Sequence, residues 1–276
     1  MSPDRVSVRW TGAAGLEFTH GGKTWLIDPY ISRAGKAACF FGRPRADQGM
    51  ISRYLDTLPG ALQAVIVGHT HLDHALDIPE IQMLRPVPLV GNESLETLMA
   101  IHGMPGRVRV CRERTHVALP GGAAVTMIPS RHGLVLFGRA PYPGEIDRSR
   151  KPPLRAAHYC HGQVFIIRLE IGGISFMHVG TANLIDDELA GTSCDVLFMC
   201  MPGWRFIENY HGRLLARVRP KVVVPFHFDD FSAPLTRNRQ APSIPWRSEK
   251  RFSERIAEEA PDARIVHPTL FHSMVF

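Results

Sequence analysis

Short runs of β-type residues, broken by turn residues, set the pattern of this chain from its N-terminus. Val6 to Trp10, Leu16 to Thr19 and Thr24 to Ile27 are separated by Thr11-Gly12 and by His20-Gly21-Gly22-Lys23. Gly-Gly between two such runs signals a hairpin, because the favoured two-residue turn needs positive φ at both centres. The third run ends in Asp28-Pro29-Tyr30. Proline cannot donate to a ladder, so a strand stopping there leaves a carboxylate at its C-terminal edge. From Ile31 to Gly49 the pattern loses its period and reads as a long loop, the kind of segment that serves as a lid or binding element. A short helix is expected over Met50 to Leu55.

An apolar run, Ala64 to Val67, then reads as a buried strand, followed by a helix over Ile78 to Leu84 and a strand over Pro88 to Val90. Asn92 is placed to cap a further helix opening at Glu93. Strand character returns at Arg107 to Cys111, His116 to Leu119 and Ala123 to Ile128, and the last delivers Pro129-Ser130-Arg131-His132. Leu134 to Tyr159, rich in Pro, Gly and Arg, has no period and reads as an irregular excursion. Gln163 to Ile171 and Ile174 to His178 flank Gly172-Gly173 as the clearest hairpin. Beyond it are expected a helix over Leu184 to Ala190, a buried strand over Asp195 to Met201 and an amphipathic helix over Ile207 to Val218. A strand over Lys221 to His227, a helix over Ser253 to Ala260 and a strand over Arg264 to His267 complete the pattern. The pattern is mixed α/β, without a tandem repeat.

Composition narrows the class. A chain of 276 residues can bury a large core, and its 45% hydrophobic and 21% charged residues are those of a folded globular protein. The residues Met1 to Arg5 lead straight into the first strand without an apolar h-region, and no run is long enough to span a bilayer. Export by the usual route and stable membrane insertion are therefore not expected. Five scattered cysteines, an odd number, argue against a disulfide framework and fit a reducing cytoplasm. The net charge of +6 is dispersed, which permits an anionic small-molecule substrate without requiring nucleic acid.

The chemistry gathers at His69-Thr70-His71-Leu72-Asp73-His74, which follows the buried strand. Four metal-ligating side chains within six residues arise by chance in a chain of this length about once in a thousand. A strand running into a loop would put His69 and His71 on one side of the turn and Asp73 and His74 on the other, so that one hexapeptide serves two neighbouring ions. Asp28, His132 and His227 also fall at or just past strand ends, where loops converge on a cleft.

In order and spacing these residues resemble the metallo-β-lactamase superfamily of metal-dependent hydrolases. The opening Trp10-Thr11-Gly12, Leu16-Glu17-Phe18 and Leu26-Ile27-Asp28-Pro29 are similar to the branch containing ascorbate-phosphate lactonases and N-acyl phosphatidylethanolamine phospholipase D enzymes. The resemblance implies one domain over 1–276, an αβ/βα sandwich of two mixed sheets flanked by helices. It makes His69, His71 and His132 ligands of one metal, and Asp73, His74 and His227 ligands of a second. Zinc is the implied ion, with manganese or iron as alternatives. Asp73 carries a catalytic role as a ligand, and Asp28 one as the acceptor of a ligand histidine's spare N–H. The implied reaction is attack by metal-activated hydroxide on an ester, lactone, amide or phosphodiester.

One departure stands out. The branch carries Gly-Asp-Thr after the strand equivalent to Ile174 to Val179, and its aspartate bridges both ions; this chain has Gly180-Thr181-Ala182. A neutral hydroxyl cannot replace a negative charge between two dications. Three outcomes stay open: one metal dominates, both share a hydroxide as the only bridge, or His178, Asp186 or Asp187 substitutes. Two other functions compete with a hydrolase: a degenerate, non-catalytic metal-binding protein, and a nuclease-type phosphodiesterase, which would want a denser basic surface. The residues leave open the roles of His158, His161, His178 and His211.

Overall fold

The computed structural model describes residues 5–235 and 249–276, which leaves Met1 to Asp4 of the N-terminal reading outside the described residues. In chain order the strands are β1 (Ser7–Gly12), β2 (Gly15–His20), β3 (Lys23–Ile27), β4 (Ala61–Ile66), β5 (Leu89–Gly91), β6 (Val108–Val110), β7 (Thr115–Leu119), β8 (Ala123–Ser130), β9 (Val164–Ile171), β10 (Ile174–Val179), β11 (Val196–Cys200), β12 (Val222–Phe226), β13 (Arg264–Ile265) and β14 (Ser273–Val275). The helices are α1 (Lys36–Phe40), α2 (Gln48–Asp56), α3 (Leu72–Ala75), α4 (Ile78–Leu84), α5 (Glu93–Ile101), α6 (Tyr210–Val218) and α7 (Glu249–Glu259).

The strands form two seven-stranded sheets, ordered β14-β1-β2-β3-β4-β5-β6 and β13-β12-β11-β10-β9-β8-β7. Within each, antiparallel hairpins give way to parallel neighbours: β3 through β6 in the first, β10 through β13 in the second. Both hairpins signalled by Gly-Gly form, with Gly21, Gly22, Gly172 and Gly173 all at positive φ.

Parallel strands need crossover helices, and these bury the second face of the sheet. Alternate residues of β3 and β4 accordingly enter different cores. Trp25, Ile27, Ala64 and Ile66 join Phe18 in a cluster shared with Phe176 and Phe198 of the second sheet. Leu26, Val65 and Val67 pack instead against Ile51 of α2, Ile81 of α4 and Leu95 of α5. The first cluster also reaches Leu214 of α6 and Phe252 of α7. Two mixed sheets face to face with helices outside is the sandwich that the resemblance implies.

Several elements depart from the sequence pattern. Ile31 to Gly49 is not loop throughout: α1 interrupts it, and α2 starts at Gln48, where the Asp47 side chain accepts the Met50 N–H. The expected helix over Leu184 to Ala190 is only a 3₁₀ turn, Asp187–Leu189, preceded by Asp186, which forms ion pairs with Arg213 and Arg217. The helix expected from Ile207 starts at Tyr210, after a separate 3₁₀ turn at Trp204–Phe206 and a left-handed Asn209. Edge strand β14 carries no period of its own; it exists because β1 pairs with it.

The Phe18 ring lies between the sheets, 5.2 Å from Phe176 and 6.0 Å from Phe198 between centroids. Phe18→Ala should lower the unfolding free energy by about 3–5 kcal/mol in urea titrations, with native far-UV circular dichroism. A loss below about 1 kcal/mol would show that the ring does not carry the contact between the sheets.

Candidate metal centre

Each residue of the site leaves the C-terminal end of a strand. Asp28 follows β3, His69 and His71 follow β4, His132 follows β8, Thr181 follows β10 and His227 follows β12. The hexapeptide is not all loop. His71 is the N-cap of α3, so Asp73 and His74 sit on a helical turn, with the Asp73 carboxylate at its favourable N-terminal end.

Folding gathers the six candidates into two groups. His69, His71 and His132 form one, and Asp73, His74 and His227 the other; in each, one ligand atom per residue lies within 4.8 Å of the others. The groups adjoin, since the His69 and His74 rings are 3.8 Å apart between centroids. Asp73 Oδ2 lies 3.3 Å from His227 Nε2 and 3.9 Å from His74 Nε2.

Hydrogen bonds to obligate acceptors fix the proton on three of the rings. His71 Nε2–H donates to the Pro141 carbonyl (3.0 Å), His132 Nδ1–H to the Gly133 carbonyl (2.7 Å) and His74 Nδ1–H to Asp28 Oδ2 (2.8 Å). In a neutral imidazole the other nitrogen then carries the lone pair: Nδ1 of His71, Nε2 of His132 and Nε2 of His74. His69 Nε2 is buried and has no hydrogen-bond partner among the described residues.

Asp28 occupies the position that the sequence suggests. It is fully buried, and its Oδ1 accepts the Gly68 N–H at 2.7 Å while Oδ2 takes His74. Asp28 and His227 both adopt left-handed backbone, with φ of 45° and 62°. Such conformations cost of order 1–3 kcal/mol in non-glycine residues and cluster where function holds them.

The Thr181 hydroxyl accepts the Gly133 N–H at 2.9 Å, so it anchors the turn bearing His132. None of the three suggested substitutes joins either group. His178 Nε2–H donates to the Ala14 carbonyl, and Asp186 pairs with Arg213 and Arg217. Asp187 starts the 3₁₀ turn. His211 faces neither cleft nor solvent: it is buried between Trp204, Tyr210 and Phe252. His158 lies half-exposed at the end of a 3₁₀ turn.

His161 belongs to the site more closely than its irregular segment suggests. Its ring stacks on His132 at 5.4 Å and lies 5.5 Å from His71. The Thr70 N–H and Asn92 Nδ2–H both donate to the His161 carbonyl, which pins the excursion against the hexapeptide. Two further supports escaped the sequence reading. Buried Asp77, the N-cap of α4, accepts the Ile31 and Ser32 N–H groups at 2.6 and 2.8 Å, holding the segment after Asp28 against the start of that helix. Its signal was an acid amid the apolar run after the motif. Arg33 and Asp229 form a buried ion pair at 2.7 Å, and Asp229 also accepts the Ala13 N–H. Residues 196 apart in sequence leave no local signal of such a pair.

Burial and mutual repulsion hold the His69 and His71 imidazoles well below the usual histidine value, and burial pushes His132 down to about 4. Burial alone would raise the Asp73 carboxyl, but the facing His74 and His227 rings outweigh it and hold it well below the carboxylate range. His74 moves the other way: burial opposes its charge, yet Asp28 and Asp73 raise it. Burial pushes Asp77 up to about 6.

These shifts set the pH response of the metal-free protein. A histidine depressed in the folded state binds fewer protons there than when unfolded, so its neutral burial destabilises as pH falls from 6.5 toward about 4. His74, raised, adds stability below 6.5 that is lost as pH rises through its folded value. Buried His178 and His211 are depressed as well, whereas Asp77, raised, adds stability on acidification like His74. With five depressed rings against these two groups, the urea midpoint of chelator-treated protein should fall between pH 6.5 and 4, and His132→Asn should flatten that fall. An unchanged slope in the variant would show that His132 titrates as an exposed ring.

Comparison with known proteins bears on the family and the fold. The profile of the family described as a beta-lactamase superfamily domain matches residues 7–227. A UPF0173 metal-dependent hydrolase of Cupriavidus taiwanensis is 24% identical over 235 residues, covering 81% of this chain and 74% of its own. Igni18, described as a metallo hydrolase of Ignicoccus hospitalis, superposes with a TM-score of 0.65 at 16% identity, over 99% of this chain and 98% of its own. YhfI of Bacillus subtilis, a metallo-beta-lactamase fold protein, gives 0.58 at 13% identity over 99% and 100%. The two structures share the fold, and the profile covers most of the chain: the protein belongs to the β-lactamase superfamily.

Proposed function

We propose that the chain is a metal-dependent hydrolase that opens an ester, lactone, amide or phosphodiester in a small molecule, with zinc as its metal. His69, His71 and His132 would hold one ion, and Asp73, His74 and His227 a second. The observation that carries this reading is the meeting of the two groups where strand ends of both sheets converge. The donor set fits a divalent cation: five imidazoles and one carboxylate, with His69 Nε2 buried and otherwise unpartnered. Three protein ligands per ion leave positions open for substrate, as catalytic sites require. When bound, such an ion acidifies a water ligand and polarises the substrate oxygen it touches.

The protein's own part is to present lone pairs in fixed directions. The Pro141 and Gly133 carbonyls keep protons on the outer nitrogens of His71 and His132, and Asp28 does so for His74. Asp28 thus acts through His74 as a positioning residue. Asp73 brings the one negative charge among the six donors. With Thr181 committed to Gly133, no carboxylate among the described residues joins both groups, so a second ion would be held by Asp73 and two imidazoles.

Protein purified without added metal should contain zinc by mass spectrometry, and chelation should abolish turnover on a panel of esters, lactones, amides and phosphodiesters. His69→Ala and Asp73→Ala should each lower kcat/KM by more than about a hundredfold, and Asp28→Asn should weaken metal binding by about 10- to 100-fold. Protein without metal above background, gaining nothing from zinc, manganese or iron, would sink the reading. Full metal occupancy with no turnover across the panel would favour a non-catalytic protein instead.

A further inference from the structure

Among the described residues seven large apolar side chains are exposed, and five of them, all aromatic, lie on the loops that rim the metal centre. Phe40 and Phe41 end α1, in the segment after Asp28. Phe137 and Tyr142 lie in the excursion after His132, and Phe206 in the turn after β11. A few contacts tie these segments to the site and to one another. Tyr142 stands edge-on to His71 at 6.2 Å, and Gly138 lies against the Phe206 ring. Arg43 of the first segment donates to the Pro153 carbonyl of the excursion.

The same loops are basic. Arg45, Arg131, Arg139, Arg148, Lys151 and Arg155 are exposed, and none makes an ion pair among the described residues. Segments 31–49 and 131–162 together carry ten Arg and Lys against three acids, Asp47, Glu145 and Asp147. Asp147 pairs with Arg150, and Asp230 of a neighbouring segment with Lys36. The rim therefore carries a net positive charge.

What covers these rings is decided by how little they touch. Phe41 is 91% exposed and Phe137 96%, so neither walls a pocket within this chain. A second copy docked rim to rim would bring like charges together. A nucleic acid would want rings laid flat and backed by protein, as stacking platforms are. Projecting aromatics among unpaired arginines and lysines match the boundary of a bilayer, where rings enter the headgroup region and cations meet lipid phosphates.

We propose that this rim docks the protein reversibly on an anionic lipid surface, with Phe41 and Phe137 entering the headgroup layer and the exposed guanidinium groups pairing with phosphates. The contact is peripheral, since among the described residues no helix is long and apolar enough to cross a membrane. It would turn the mouth of the metal centre toward the lipid.

Sedimentation with vesicles tests this independently of any catalytic activity. The full chain should bind phosphatidylcholine vesicles containing about one third phosphatidylglycerol at low salt, bind pure phosphatidylcholine at least about tenfold more weakly, and dissociate as salt approaches about 0.5 M. F41S/F137S should weaken binding about tenfold or more, and R148Q/R155Q should weaken it and flatten its salt dependence. Both pairs lie on the surface, and an unchanged melting temperature confirms that the variants fold. No binding to the anionic vesicles, or equal binding by the variants, overturns the proposal. So does a dimer in ultracentrifugation that F41S/F137S dissolves, or a single-stranded oligonucleotide that binds more tightly through the same residues.

Discussion

The Asp28 carboxylate is the contact on which the site depends. It is buried beyond the reach of water, and a charge there is tolerable only if its oxygens are satisfied. One oxygen accepts the backbone of Gly68 and the other accepts His74. With two hydrogen bonds it joins the end of β3, the end of β4 and the helical turn carrying Asp73 and His74. The left-handed φ of Asp28 turns the chain sharply out of the strand so that this is possible. The carboxylate also lies 3.7 Å from His178, which faces away to Ala14, so the acid serves His74 rather than dividing between the two rings.

Around that contact the site is supported from several distant segments. Asp77 holds the chain after Asp28, Arg33 and Asp229 tie that segment to the one after His227, and Thr181 anchors the turn of His132. Thr70, between the two histidines of the motif, fastens the hexapeptide to the excursion through Cys160 and His161. Thr181 thus puts a neutral hydroxyl where the resemblance implies a carboxylate, and spends it on the backbone beside His132. Neither group of candidate ligands includes it.

The rim has a different character from this interior. Inside, buried Arg33 and Asp229 pair with each other and Asp28 with His74; outside, aromatic rings stand exposed beside guanidinium groups that make no ion pair among the described residues. The same excursion supplies both, through Pro141, Tyr142 and His161 inward and Phe137 and Arg155 outward.

The sequence by itself determined the strands, the two Gly-Gly hairpins, the hexapeptide and the acid at a strand end. Each rests on local spacing: alternation sets a strand, paired glycines set a turn, and a proline after Asp28 stops a ladder. It also pointed to His132 and His227 through their places at strand ends. Tertiary structure alone decided what lies far apart in the chain. It buried His211 against α7, gave Thr181 to Gly133, brought His161 onto His132, paired Arg33 with Asp229 and added β14 to the edge of β1. These contacts depend on which strand ends meet, and strand order is set by the packing of two sheets over a shared core rather than by any residue's neighbours.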